Sequence, residues 1–258
     1  MKKDPLILIT NDDGVTAPGI LALIRTVKKI TNRIVVVAPD RPQSGMGHAI
    51  TMNAMLRLDK REDIEGVEAY SCSGTPVDCV KIATAKVLKE KPDLVVSGIN
   101  HGSNSSINII YSGTMSAAVE AAIEGTPAIG FSLKDESIDA DFSPCLPYVE
   151  EIIRFCLSSN LKAHSCLNVN FPAIGKELIN GMKVCRQAKA VWEEEFDERH
   201  DPSGNAYYWL SGKFVNKEKD KDDTDEWALE NNYISVVPVQ FDVTDYTALN
   251  TFKPLENE

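Results

Sequence analysis

The chain has 258 residues, long enough to bury a full core without disulfide or metal support. Its formal charge is −11, which opposes non-specific binding to nucleic acid or to an anionic membrane surface, so an anionic ligand would need a local reversal of field. No apolar run approaches the length of a membrane span, and the short apolar stretch Leu6 to Ile9, closed by Asn11-Asp12-Asp13, is no signal-peptide core, so a cytoplasmic protein is expected.

Leu6 to Thr10 is a continuous apolar run without alternation, the pattern of a strand buried on both faces of a parallel sheet. From Gly19 to Ile30 apolar residues recur at helical spacing, and Arg33 to Ala38 is a second buried-strand run, which together make a βαβ unit. Glu68 to Ser71 reads as a third strand. Thr75-Pro76-Val77-Asp78 then supplies an N-cap, a proline at the first helical position and an acid in the first turn of a helix running towards Lys89. Asp93 to Ser97, Pro127 to Ser132 and Leu167 to Phe171 read as strands. They are separated by helices over Thr114 to Glu124 and about Pro147 to Ser158. Alternation of this kind predicts an α/β fold, a doubly wound, mostly parallel sheet with right-handed crossovers.

After Pro172 the chain turns aromatic and strand-like, with pieces at Met182 to Arg186, Tyr207 to Phe214 and Ile234 to Val237. The expected organisation is an α/β core over 1–175 and a β-rich extension over 176–258 within the same overall domain. The hydrophilic run Asn216 to Asp225 alternates lysines with acids and lacks the glycine and closing glutamate of a calcium loop, so it reads as a solvated loop. Six cysteines without a C-x-x-C pair read as structural core thiols.

Four polar clusters fall at predicted strand ends, where an open parallel sheet collects its ligands. Asn11-Asp12-Asp13-Gly14 can aim two carboxylates at one point, as a hard dication requires, but taken alone it is better explained as a turn with an aspartate capping the next helix. In the loop after the second strand, Ser44 offers a neutral oxygen, Gly45 and Gly47 let backbone approach a ligand, and His48 is either a structural donor or a titratable catalytic group. In Ser97 to Asn104, Asn100 can give a carbonyl oxygen to a metal and amide hydrogens to a phosphate. Ser112-Gly113-Thr114 opens an alanine-rich helix whose free N–H groups and dipole suit a phosphate, though plain N-capping explains the same residues.

Taken in order, Ile9 to Gly14, Val37 to Asp40 with Ser44 and Gly47-His48, Ser73 to Val80, Ser97 to Gly102 and Ser112 to Thr114 resemble the SurE (survival protein E) family. The resemblance covers residues 6 to 133 in ordered blocks and continues more weakly around Tyr207-Tyr208-Trp209. It implies a Rossmann-like core and a 5′/3′-nucleotidase acting on nucleoside monophosphates, with polyphosphate as a side substrate. It also implies one divalent metal, Mg or Mn, per subunit, and a homodimer or homotetramer built by exchange of C-terminal elements. The metal ligands implied are Asp12, Asp13, Ser44 and Asn100. Substrate positions fall on Asn11, Asn100, Ser112, Gly113 and Thr114.

The expected chemistry is attack of a metal-activated water on the phosphate. Asp12 or Asp13 is a candidate proton acceptor, and His48 a candidate acid for the leaving alkoxide. Rival readings fit less well. An aspartyl-phosphate phosphatase would want an acid where Gly14 stands, no cysteine opens a loop ending in arginine, and the glycine fingerprint of a dinucleotide enzyme is absent after the first strand. A non-catalytic nucleotide or anion sensor is a further reading, separable by phosphate release.

Overall fold

A computed structural model describes residues 4–137, 139–159 and 161–256. The central sheet has nine strands in the order β3-β4-β2-β1-β5-β6-β7-β11-β8. These are β1 (Ile7–Thr10), β2 (Ile34–Pro39), β3 (Leu58–Arg61), β4 (Glu68–Cys72), β5 (Leu94–His101), β6 (Ala128–Leu133), β7 (Cys166–Phe171), β8 (Met182–Val184) and β11 (Ile234–Val239). From β4 to β7 every neighbouring pair is parallel, and only β3 against β4 and β11 against β7 run antiparallel. Counting the parallel strands alone, the order is 3-2-1-4-5-6. That is the doubly wound arrangement with its reversal between β1 and β5.

The unalternated apolar runs do what that pattern demands. In β1, Ile7 and Ile9 join a core cluster with α1 (Pro18–Val27) and α4 (Leu146–Ser158) on one face. Leu8 joins the cluster under α2 (Pro76–Ile82) and α3 (Gly113–Ile123) on the other. Burying such side chains on both faces at roughly 25 cal/mol per Å² of apolar surface is the main stabilising term of the sheet. It also leaves the strand ends as the places where polar residues can collect.

Several elements differ from the sequence expectation. Strand β3, Leu-Asp-Lys-Arg, has no apolar pattern and forms because it pairs with β4 at the sheet edge, where charged side chains are at home. The helix begun at Thr75 has the full reciprocal capping box with Asp78 but ends at Ile82, giving way to a π-helical turn over Ala83–Val87. The loop expected to be solvated through Asp225 is exposed only in part. Thr224 and Asp225 are fully buried and open a short helix, α5 (Asp225–Glu230), because Asp225 accepts from the backbone N–H groups of Ser106, Ala188 and Glu226.

The segment after Pro172 divides in two. Strands β8 and β11 extend the central sheet, whereas β9 (Ala190–His200) and β10 (Ala206–Asn216) form a separate antiparallel hairpin paired over its whole length. Strand β9 hides in the sequence behind the acidic run Glu193-Glu194-Glu195, which has low strand propensity and is recruited by pairing with β10. All six cysteines are free and buried. No described helix is long and apolar enough to cross a membrane.

Candidate active site

The cleft at the carboxyl ends of β1 and β5, of about 440 Å³, brings together Asp12, Ser44, Asn100 and Ser112 from the four polar clusters. Each arrives by a different local device. Asn11 spends both functions of its amide on Gly14, donating to its carbonyl and accepting from its N–H, and so makes the turn that turns Asp12 and Asp13 out of the strand. It is fully buried beneath the turn it builds. The loop after β2 is pinned beside the turn by Gln43 N–H to the Asp12 carbonyl and Val15 N–H to the Pro39 carbonyl, which carries Ser44 to the cleft wall.

Asn100 depends on an irregularity in β5. The register against β6 shifts between Ser97 and Asn100, and Gly98 (φ +125°) passes so close to β6 that an added Cβ would lie 2.3 Å from the Phe131 carbonyl oxygen. The Asn100 amide then donates to the carbonyls of His101 and Gly102, which leaves its Oδ1 as the group on offer.

Helix α3 meets the acids head-on. An added Cβ at Gly113 would stand 2.8 Å from the Asp12 Cβ and 2.9 Å from its Oδ2, so only glycine permits this approach. The hydroxyl of Thr114, the residue after it, donates to Asp12 Oδ1. Ser112 caps the helix, its Oγ accepting from Met115 N–H at 3.0 Å. N-capping and ligand binding are therefore compatible at Ser112, because the hydroxyl proton is not used by the cap. Thr114 is fully buried and spent on orienting Asp12.

The electrostatics are unbalanced. Asp12 is only 4% exposed, and burial first, then the neighbouring Asp13, push its carboxyl up to about 6 against the hydrogen bonds from Thr114. The partner found for Asp13 is His101, whose Nδ1 lies 3.2 Å from Asp13 Oδ2. His101 had been visible only as a member of its cluster. Asp12, buried, and Asp13, partly so, with no lysine or arginine paired to either among the described residues, make with a free amide oxygen and a hydroxyl a set of hard oxygen donors, which fits a divalent cation. No group of three or more acids, histidines or cysteines that could hold a metal ion occurs among the described residues, so a cation here would need Ser44, Asn100 or water to complete its shell.

His48 stands outside the cleft lining. Its Nε2 lies 2.8 Å from Glu120 Oε2 on α3, while Lys81 binds the other oxygen. The bond to His48, and after it the one to Lys81, hold Glu120 below the usual carboxylate range against the opposing effect of burial. With Gly47 N–H donating to the Tyr111 carbonyl, this ties the Ser44 loop to α3.

The family model described as Survival protein SurE matches residues 7–194. The 5′-nucleotidase SurE of Flavobacterium psychrophilum is 61% identical over 246 residues, covering 95% of both chains. That of Phocaeicola vulgatus is 44% identical over 254 residues, covering 98% of both. Among solved structures, the SurE protein of Aquifex aeolicus superposes with a TM-score of 0.84 at 38% identity, covering 98% of this chain and all of that one. With a family model over most of its length and relatives this similar from end to end, the chain belongs to the SurE family.

Proposed function

We propose that the protein is a phosphomonoesterase that hydrolyses nucleoside 5′- and 3′-monophosphates to nucleoside and phosphate with one divalent cation, Mg or Mn, per subunit. The observation that carries this is the Asp12–Asp13 pair, Asp12 buried and Asp13 partly so, set against the N-terminus of α3 at the switch point of the sheet. The names borne by the relatives, 5′-nucleotidase, support the same reading.

Asp12, Asp13, Ser44 and Asn100 would hold the cation, which supplies charge neutralisation and a lowered pKa for a nucleophilic water. The chain's own contribution is positional. Ser112 presents a hydroxyl donor, and the first turn of α3 presents N–H groups and its dipole, to the phosphate oxygens. Thr114 fixes Asp12, and Asp13 is a proton acceptor held by His101. His48, bound to Glu120, keeps the Ser44 loop on α3 and is the candidate acid for the leaving alkoxide. Phosphate release from a nucleoside monophosphate with Mg or Mn, and none after chelation, is the expected result. Equal release without metal defeats the metal part of the reading, and no release with any metal defeats the whole.

The same reading includes a cytoplasmic homodimer or homotetramer, made by the 176–258 extension reaching from the 1–175 core to a neighbour. An isolated two-stranded hairpin is marginal in water. The β9–β10 hairpin nevertheless projects with Phe196 and Leu210 paired across one face at 66% and 62% exposure. A second copy would cover that face. Light scattering at micromolar concentration should give at least a dimer, and a monomer would refute the arm model.

A further inference from the structure

The acids and the helix N-terminus occupy only one part of the cleft. Its lining also includes Asn108, Tyr111 and Trp192. Trp192 is near the root of β9, 42% exposed, and Tyr111 directly precedes the Ser112 cap at 52% exposure. Exposed aromatic side chains at a polar cleft call for a reason, and the indole here is fixed in place. Its Nε1 donates to Asn108 Oδ1 at 2.8 Å, and its ring meets Phe214 edge-on at 5.6 Å between centroids.

The turn that carries Asn108 and the chain that enters β9 with Trp192 are both anchored to one buried carboxylate. Asp225 Oδ2 accepts from Ser106 N–H at the start of the turn that carries Asn108, and Asp225 Oδ1 accepts from Ala188 N–H just before β9. The indole is therefore pre-organised, with its one polar atom already satisfied and part of its surface left to solvent. Asn108, with its Oδ1 taken by the indole, has an NH2 donor remaining. A cleft with an anion-binding end and a fixed aromatic end matches a ligand with a phosphate at one end and a flat heteroaromatic ring at the other.

We propose that Trp192 is the specificity-determining residue that stacks the nucleobase of the substrate, with Asn108 holding the indole and offering a donor to the base edge. This inference rests on the nucleotidase reading and deepens it, since it assigns selection of base-bearing esters over base-free ones to residues remote from the acids.

The test uses the full-length protein with Mg or Mn, comparing adenosine 5′-monophosphate with glycerol 2-phosphate, which has no ring. In Trp192→Ala the ratio of kcat/KM for the two esters should fall about tenfold, the change residing in KM for the nucleotide, as expected for the loss of one base–aromatic stack. Trp192→Phe, which keeps a ring, should retain most of the ratio. Asn108→Leu, which frees the indole, should lower it severalfold and carries the test if Trp192→Ala does not fold. An unchanged ratio in Trp192→Ala and Asn108→Leu overturns the proposal. Calorimetric titration with adenosine alone separates the two readings. Binding by the wild type that weakens about tenfold in Trp192→Ala supports the stack even if neither ester is hydrolysed, whereas equal adenosine affinity in both proteins overturns it while leaving hydrolysis, if present, intact.

Discussion

The two ends of the central sheet both carry cavities, and the larger one is the wrong one. At the amino ends of the strands a groove of about 500 Å³ is lined by Lys28, Asn32, Arg33, Glu68, Lys89 and Glu90, among others. At the carboxyl ends the Asp12 cleft is about 440 Å³. In the first, charged groups find local partners: Arg33 pairs with Glu90, Lys28 donates to the Glu65 carbonyl, and Glu68 accepts from the Tyr70 hydroxyl. In the second, His101 meets Asp13, but among the described residues no lysine, arginine or histidine pairs with the buried Asp12, and a helix points its N-terminus at it. What distinguishes a site from a dent is charge left unanswered after folding, since a buried group without compensation costs stability that only a ligand returns.

The comparison is most directly broken at Asp12. Asp12→Ala should reduce metal-dependent phosphate release by on the order of a hundredfold or more while far-UV circular dichroism stays native. Retained activity would mean that the unanswered charge serves nothing. The same residue predicts a pH effect on the metal-free protein. Its carboxyl is raised from 3.8 to about 6 on folding, so the folded state holds the proton longer than the unfolded chain does. Stability is therefore greatest below the unfolded value and falls as pH rises from about 4 through about 6, by roughly 3 kcal/mol for a shift of this size. Thermal denaturation in a chelator should show this fall, Asp12→Asn should flatten it, and Mg or Mn should restore stability at neutral pH. A fall of the same size in Asp12→Asn would place its source elsewhere.

Gly113→Ala comes next. The new Cβ would press on Asp12 from within 3 Å, so either α3 retreats or Asp12 turns. A stability loss of about 1–3 kcal/mol should accompany a loss of activity, measurable by denaturant titration and phosphate release. Asp225→Ala should cost about 2–4 kcal/mol by orphaning the N–H groups of Ser106 and Ala188. Because those groups hold the aromatic wall and not the acids, the nucleotide KM should suffer more than kcat. The smallest effect belongs to the opposite end. Arg33→Ala removes an exposed ion pair and should change stability by less than about 1 kcal/mol, with activity intact. A loss of phosphate release there would blur the contrast between the two ends.

Much of this was legible in the chain itself. Unalternated runs such as Leu6 to Thr10 specify strands buried on both faces, and the helical spacing of Gly19 to Ile30 between two of them specifies the crossover. Those patterns record local solvent exclusion, which periodicity reports directly. The polar clusters were visible for the same reason, because they interrupt apolar runs at strand ends. Elements stabilised by a distant partner left no such mark. Strand β3 needs β4, acidic β9 needs β10, and Asp225 is buried only because Ser106 and Ala188 reach it across more than thirty residues of chain.

The acidic turn makes the division plain. From Asn11-Asp12-Asp13-Gly14 alone, a helix-capping turn is the better explanation and a metal ligand pair the alternative. The sequence determined that two carboxylates would sit just beyond a buried strand, since neither face of that strand could take them. Only the tertiary structure decided that α3 would come close enough for Thr114 to hold Asp12, that His101 would answer Asp13, and that Asn11 would serve the turn and His48 would bind Glu120. Those outcomes depend on distances between segments that the chain brings together only when the sheet closes, and no local pattern of residue types encodes them.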